Sequence, residues 1–511
     1  MPALPFPAIG LALAIGVGAA WHAFCKRPPF WITQLDAFGM ARVGKKIPGT
    51  AVVCGGSAAG IITARVCADH FERVVVVDPE VADADKRKTR VLQYNASHIF
   101  LTIFVNAARR LWPDFNAEVL GAGGKDVVSD FQIHYAGLGP VPSPRRDKTL
   151  MASRRTMQTA LNRLLLRDSR ISVVSGTVRG LISSEDKRTV VSVDVRKLDG
   201  TQLSLNDVAL VVDCTGRTHA GFKWLQSAGY AVTDDIRATY EGNLRYLTIT
   251  CTVPPALAAR LPIPSQNLET SVIYACVPED DTAAQLVAMF KTGPEEFLIG
   301  FTDTAGVELP RTPEEAMLFI AGFRGLRRPI PTWVIETIGI LCEDGQPSFD
   351  NIALTTLSYL QYHKLPRGTL PANFVAVGDS VMTLNPIHGQ GFSKSMLNAI
   401  VLNTLLHEVP ATVPANFADN YFRRSAGPQN SLWDSTRLND YNNTACQPMK
   451  GETKQTGAVM RWLSMKVLSA AMKYDDVAVA LWDVRHLLVD ERALLAPTIL
   501  AKILWTRSLF A

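Results

Sequence analysis

The sequence predicts an α/β protein: a Rossmann-like dinucleotide-binding domain interrupted by an inserted mixed sheet, closed by a helical C-terminus and preceded by an N-terminal membrane helix. Three observations lead there. Ala51-Val-Val-Cys-Gly55-Gly56-Ser57-Ala58-Ala-Gly60 precedes a helical stretch, and Val74-Val-Val-Val-Val-Asp78 follows it. That is a strand, a glycine turn, a helix and a second strand closed by an acid. More than three hundred residues later, Phe374-Val-Ala-Val-Gly378-Asp379-Ser380 leads into Asn385-Pro386-Ile387-His388-Gly389-Gln390-Gly391. That is another apolar strand ending in a polar turn and a helix start. At the other end of the chain, residues 4–24 carry no charge, and Lys26-Arg27 follow at once.

The membrane helix comes first in chain order. A helix from Pro7 to Phe24 has 18 residues, about 27 Å at 1.5 Å per residue. That is roughly the hydrocarbon thickness of an endoplasmic reticulum bilayer. Its strongly apolar side chains favour insertion by roughly 2.5–5 kcal/mol before His22, the glycines and the prolines are counted. A cleaved signal peptide is the rival, with Gly18-Ala-Ala20 as a cleavage site, but no basic residue precedes the apolar run. Lys26, Arg27, Arg42, Lys45 and Lys46 all follow the span, so the positive-inside rule places the body of the protein in the cytosol. Residues 25–48, with Pro28-Pro29, Gly39, Gly44 and Pro48, read as a linker.

Within the first unit, Gly55 allows the tight turn, Gly60 close helix-on-strand packing, and Ser57 keeps a small side chain where the backbone meets a phosphate. Gly56 and Ala58 complete the turn, and Asp78, 18 residues beyond Gly60, is placed to bind a ribose hydroxyl. Residues 81–90 form a charged loop, and 97–112 have helical spacing ended by Trp112-Pro113. Gly121-Ala-Gly-Gly-Lys125 lacks the Ser or Thr of a phosphate loop and reads as a turn. Ser153-Arg154-Arg155 begins a capped helix, and 171–178 with 189–197 alternate like a hairpin. Ala209-Leu-Val-Val-Asp213-Cys-Thr-Gly216-Arg217 is a buried strand with a polar turn. From 226 to 364 strand-like runs dominate (231–239, 245–253, 271–277, 297–302, 333–342), with helical stretches at 282–291 and 313–322. The chain then returns to the first unit, and 425–511 is mostly helical.

Composition is that of a globular protein, 47% hydrophobic and 19% charged. A net charge of +5 over 511 residues gives no reason to expect nucleic acid. The eight cysteines form no Cys-x-x-Cys pair, which favours a reducing compartment and no structural metal. Taken together, the two separated glycine segments point to FAD. Gly389-Gln390-Gly391 offers backbone N–H groups at a helix start, a nest able to stabilise an electron-rich flavin oxygen.

In this order, Gly55…Gly60, Asp213…Gly216-Arg217 and Gly378-Asp379…Pro386…Gly391 resemble the motifs of single-component FAD-dependent monooxygenases, whose fold is that of para-hydroxybenzoate hydroxylase. The resemblance covers about residues 50–507 and is closer to a natural-product branch, whose Pro-Gln-x-x-His-x-His stretch is matched by Gln93…His98 and whose Asn-Pro-x-x-Gly-Gln-Gly is matched by 385–391. The tail around Trp433, Asp440 and Leu494…Pro497 is similar too. Leu92 replaces the branch's proline, Ala96 its first histidine and Ser57 a glycine. The resemblance implies that Asp379 binds the ribitol or ribose region of FAD, that Pro386–Gly391 covers the isoalloxazine, and that Arg154 or Arg155 lies near the cofactor. Candidate catalytic residues are Gln93, His98, His388 and Gln390. Candidate cofactor contacts are Gly55, Gly56, Ser57, Ala58, Gly60, Asp78, Arg154, Asp213, Gly378, Asp379, Pro386, Gly389, Gln390 and Gly391.

The expected organisation is an anchor and linker (1–48), an FAD-binding domain in two parts (49–225 and 365–424), an inserted substrate domain (226–364) and a helical region (425–511). The expected activity is insertion of one oxygen atom, by hydroxylation or epoxidation, into a lipophilic secondary-metabolite-type substrate with NAD(P)H and O₂. The rivals are a dehydrogenase or reductase of the same fold and a non-redox FAD-containing cyclase. A flavin halogenase is disfavoured, since its Trp-x-Trp-x-Ile-Pro is not found. The expected location is the endoplasmic reticulum membrane, with the catalytic domain in the cytosol.

Overall fold

The computed structural model describes residues 20–279, 285–303 and 308–509. Its first layer is a five-stranded parallel sheet in the order Phe374–Ala376, Val208–Asp213, Ile47–Cys54, Phe71–Val77, Ile171–Val174. Ile47–Cys54 lies at the centre, where Ala51, Val52 and Val53 are sealed from solvent. Near-continuous apolar strands of this kind suit a parallel sheet covered on both faces. Helix Ala58–His70 packs on Gly391–Glu408 over one face. Both helices are apolar almost all round, and Ile61, Ile62, Met396 and Ile400 are fully buried.

The second layer is a six-stranded sheet in the order Ser348–Leu360, Arg237–Thr252, Glu296–Asp303, Leu286–Lys291, Tyr274–Val277, Ile133–Tyr135. All its pairings are antiparallel except the last, Tyr274–Val277 with Ile133–Tyr135. The edge strand Ile133–Tyr135 comes from the chain before the insertion, so this sheet is not built from 226–364 alone. Helices Pro313–Ala321 and Thr332–Asp344 share a second apolar core with it, around Leu247, Phe301, Val334 and Ile338.

Several sequence expectations are corrected. The run 333–342 is helix, not strand. Pro331 precedes its start, and Val334, Ile338, Leu341 and Cys342 are buried at helical spacing; their β-branched neighbours imitate a strand. In 282–291, Leu286–Lys291 is a strand rather than a helix, because partners on both sides take up its backbone groups; 282–284 lie outside the described residues. Ile171–Val174 joins the parallel sheet beside Phe71–Val77, and the hairpin is instead Gly176–Ser183 with Val190–Lys197. The linker is not loose. Phe38 and Leu35 enter the main core, and Trp31 Nε1 donates to the Leu487 carbonyl at 2.7 Å. The C-terminal helices begin earlier than 425, with Phe417–Asp440, which contains Pro428.

Most of the span at 7–24 lies outside the described residues. Residues 20–26 are helical, and among the described residues no helix is long and apolar enough to cross a membrane.

Candidate cofactor site

The first strand ends at Cys54 and the chain turns sharply. Gly55 has φ of +118°, and a Cβ there would lie 2.4 Å from the Cys214 carbonyl oxygen. A Cβ on Gly60 would lie 1.8 Å from the Gly55 oxygen, so any side chain pushes helix and turn apart. Helix Ala58–His70 therefore starts directly on the turn, and no side chain caps it among the described residues. Its first N–H groups and its dipole favour an anion. Asp78 braces the turn. Its Oδ2 accepts the Gly56 N–H at 2.8 Å and its Oδ1 the Glu80 N–H at 2.7 Å.

Arg154 reaches this turn from the start of helix Arg154–Arg167. Its Nη2 donates to Ser57 Oγ at 2.8 Å, and its guanidinium lies 5.0 Å over the Phe392 ring. The side chain is buried, and Nη1 has no hydrogen-bond partner among the described residues. Burial pushes its pKa down to about 10, with Tyr94 and Asp379 pulling the other way. A buried cation with a nitrogen left over, beside an uncapped helix start, suits a phosphate. The glycine cradle and this orphaned nitrogen fit a dinucleotide. Arg155, the other candidate, points to Glu296 on the surface at 3.5 Å.

The second segment lies next to the first. Strand Phe374–Ala376 leads into the turn Gly378–Ser380, with the Gly378 N–H donated to Asn398 Oδ1 at 3.1 Å. Asp379 is half-exposed, and its Oδ1 accepts from Lys394 Nζ at 2.6 Å. Lys394 is itself buried and also donates to the Met382 carbonyl. Asp379 is near enough to His98 and Arg154 for its charge to oppose, in part, the lowering of each pKa by burial.

Asp213 plays a different part. It is fully buried, and burial raises its pKa. Its Oδ1 accepts from the Thr215 N–H (2.9 Å), Thr215 Oγ1 (2.6 Å) and Ser380 Oγ (3.2 Å), and its Oδ2 from the Gly221 N–H (3.0 Å). Ser380 Oγ also accepts the Gly216 N–H at 2.8 Å. Asp213 thus clasps two turns together rather than facing an open surface.

The loop 385–391 closes the cluster. Asn385 Oδ1 accepts the Ile387 N–H at 3.0 Å, and Pro386–His388 makes one helical turn. Gly389, with φ of +66°, leads through Gln390 to helix Gly391–Glu408, which no side chain caps among the described residues. Gly391 faces open space, and Gln390 Oε1 accepts from Thr436 Oγ1 at 3.3 Å. His388 Nε2 is buried without a hydrogen bond among the described residues, 3.8 Å from Asp440 Oδ1. Asp440 is a buried carboxylate already holding Asn385 Nδ2 (2.8 Å) and the Tyr240 hydroxyl (2.7 Å).

His98 lies edge-on to Phe392, with ring centres 5.9 Å apart. Its Nδ1 is 2.9 Å from the Ala96 carbonyl, which can only accept, so Nδ1 carries the proton and Nε2 is bare. Burial, then the Arg154 charge, lowers its pKa to about 4, which keeps it neutral. Gln93 lies beside Tyr246, whose phenol burial pushes above its usual range. The sequence reading missed Lys394 and Tyr240. Lys394 was hidden as a cation between two serines, although its helix leaves no solvent-facing side for it.

No protein-family model matches the chain. It is 22% identical over 422 residues to Protein Rv3254 of Mycobacterium tuberculosis, covering 80% of this chain and 84% of that protein. Among solved structures it is similar to the flavin-dependent brominase Bmp2, with TM-score 0.58 and 13% identity over 89% of this chain and 98% of that one. It is similar to a flavoprotein/dehydrogenase from Cytophaga hutchinsonii, with TM-score 0.58 and 12% identity over 88% and 95%. It is also similar to 2-methyl-3-hydroxypyridine-5-carboxylic acid oxygenase, with TM-score 0.52 and 15% identity over 84% and 97%. The chain has the fold these proteins share.

Proposed function

We propose that the chain binds FAD non-covalently in this cradle and is an FAD-dependent monooxygenase acting on a lipophilic, secondary-metabolite-type substrate with NAD(P)H and O₂. The observation that carries the reading is Arg154: a buried guanidinium with one nitrogen on Ser57 and one left over, between an uncapped helix start and Asp379. The fold adds support, since the brominase, flavoprotein and oxygenase that share it are by name proteins of flavin or oxygen chemistry.

In this reading Gly55, Gly56, Ser57, Ala58 and Gly60 hold the pyrophosphate, with Arg154 as its counter-charge. Asp78 holds a ribose and Gly378 and Asp379 the sugar chain; Pro386 and Gly389, whose N–H is donated to the Pro386 carbonyl at 2.9 Å, shape the loop over the ring, and Gln390 and Gly391 present backbone N–H groups to it. When bound, FAD supplies the redox chemistry, taking electrons from NAD(P)H and passing them to O₂. His98 offers a bare Nε2 as proton acceptor, and Gln93, beside Tyr246, is the other candidate on that stretch. His388, next to Asp440, is the second candidate for holding a proton. Phe100, Phe104 and Phe392 stack edge-to-face behind His98 and keep water from that side.

Purified protein is expected to be yellow, with one FAD per chain released on denaturation; a colourless chain that cannot be reconstituted ends the reading. Oxygen from labelled O₂ in the product separates a monooxygenase from a dehydrogenase, and NAD(P)H consumption separates both from a cyclase.

We further propose that the apolar run 4–24 anchors the chain in the endoplasmic reticulum membrane with its catalytic part in the cytosol. The uncharged run and the basic residues after it support this. Recovery of the full chain in a carbonate-washed membrane pellet is the expected outcome.

A further inference from the structure

Three distant stretches meet in the C-terminal helical layer. In the N-terminal helical residues 20–26, Trp21 Nε1 donates to the Leu495 carbonyl at 2.8 Å, and Phe24 lies 4.9 Å from the Arg492 guanidinium. Cys25 is buried in one cluster with Val467, Leu468, Ile499 and Ile503. Helix Ala458–Ala471 is fully buried only in its second half, where Lys466 Nζ reaches the Thr506 carbonyl and Ser469 Oγ accepts the Leu509 N–H at 3.0 Å. Trp462, one turn before Lys466, and Trp505, next to Thr506, therefore sit at neighbouring points of the two helices.

This layer turns large apolar side chains outward: Trp21, Phe24, Met460, Trp462, Leu504 and Trp505, with Trp462 55% and Trp505 91% exposed. Single exposed hydrophobics need no explanation, but a cluster of six drawn from three elements does. The charge pattern points to the partner. Residues 1–35, 453–474 and 493–509 contain no Asp or Glu, while the whole chain is nearly balanced at 52 basic to 47 acidic residues. Of their basic residues, Lys26, Arg27, Lys473 and Arg507 are exposed, whereas Lys454, Arg461 and Lys466 are turned onto backbone carbonyls. Lys502 from the same layer is paired with Asp476 at 2.6 Å. A second copy would set basic against basic, which opposes self-association. Tryptophans mixed with lysine and arginine suit the headgroup level of a bilayer. The helix at 20–26 is also continuous in sequence with the uncharged run 4–24.

We propose that this face lies flat on a bilayer surface bearing anionic headgroups, with Trp21, Trp462 and Trp505 at headgroup depth. The chain is then held at two levels, by its N-terminal run and by a broad interfacial contact that fixes its orientation to the lipid. This rests on the membrane reading above and is independent of the flavin reading.

The test uses the full chain on phosphatidylcholine vesicles with and without phosphatidylserine. The eight native cysteines are all buried, so an environment-sensitive thiol dye goes to an introduced cysteine in Trp462→Cys, Trp505→Cys or, as a control on the inserted unit, Leu318→Cys, whose site is also exposed. The expected result is a blue shift at 462 and 505, quenched by nitroxide lipid and larger with phosphatidylserine, and no shift at 318. Flotation with vesicles but no shift at 462 and 505 overturns the proposal and leaves the anchor standing. No flotation overturns both. A concentration-dependent shift at 462 and 505 without lipid also overturns it, because the face is then covered by a second copy.

Discussion

The helix that starts at Ala58 and the helix that starts at Gly391 pack on each other, both begin without a side-chain cap, and each has a buried cation beside its first turn. The two cations are used differently. Arg154 places one nitrogen on Ser57 and keeps Nη1 unengaged among the described residues. Lys394 is taken up within the protein, by Asp379 and the Met382 carbonyl. The first end thus keeps a donor for the phosphate proposed above. The second holds a half-exposed protein carboxylate whose charge acts on Arg154. A buried positive charge therefore does not by itself mark a ligand; the count of its unmet donors does.

The comparison can be broken at several points, with effects of decreasing size. Gly60→Val puts a side chain where even a Cβ lies 1.8 Å from the Gly55 oxygen. Overpacking of backbone on this scale costs about 3 kcal/mol or more, so thermal denaturation is expected to show a large drop in Tm, together with loss of flavin. Lys394→Met leaves Asp379 without its counter-charge. Removing one member of a buried pair costs about 3–5 kcal/mol, and the lower end is expected because Asp379 is half-exposed. Urea unfolding with Lys394→Met and the double variant Lys394→Met/Asp379→Asn checks it: recovery in the double variant shows that the pair, and not the lysine's packing, carries the effect.

Arg154→Gln sharpens the contrast, since it is expected to leave stability nearly unchanged while weakening FAD. A hydrogen bond to a charged group is worth about 1.5–3 kcal/mol, or roughly 10- to 150-fold in affinity. Fluorescence titration of the apoprotein measures it; unchanged affinity would place the phosphate elsewhere.

The smallest effect concerns pH. His98 in the fold titrates near 4, below its unfolded value near 6.5, because burial and Arg154 disfavour its charged form. Between those values the unfolded chain binds the extra proton, so stability is full above about 6.5 and falls as pH drops toward 4, by up to about 1.4 kcal/mol per pH unit for this group. His98→Gln is expected to match the parent at pH 7.5 and to show a shallower loss at pH 5, with His70, His134 and His486 keeping part of the slope.

What could be read in the sequence was the local part of this architecture. The strand, glycine turn and helix at 51–70 are set by neighbours in sequence, and so is the Asn385–Gly391 turn. What could not be read was decided at a distance. Leu286–Lys291 is a strand because Tyr274–Val277 and Glu296–Asp303 flank it, and nothing within those residues says so. Thr332–Asp344 is a helix despite its β-branched side chains, because the inserted sheet buries its Val334–Ile338–Leu341 stripe. Lys394 looks like any helical lysine until the packing of Gly391–Glu408 denies it a route to water. The partnership of Tyr240 with Asp440 spans 200 residues and has no local sign.

The hydrogen bond from Ser380 to Asp213 joins residues 167 positions apart, with all strands of the second sheet but Ile133–Tyr135 made between them. This separation bears on synthesis. When the ribosome has delivered Asp213, four of the five parallel strands exist, but Val208–Asp213 is still an open edge, because its outer partner is Phe374–Ala376. An unpaired edge that is apolar from Val208 to Val212 is a hazard for a nascent chain. It persists while the insertion is translated, on the order of ten seconds or more at roughly 5–20 residues per second. The cradle is therefore completed late, and that edge stays open to mispairing through the interval.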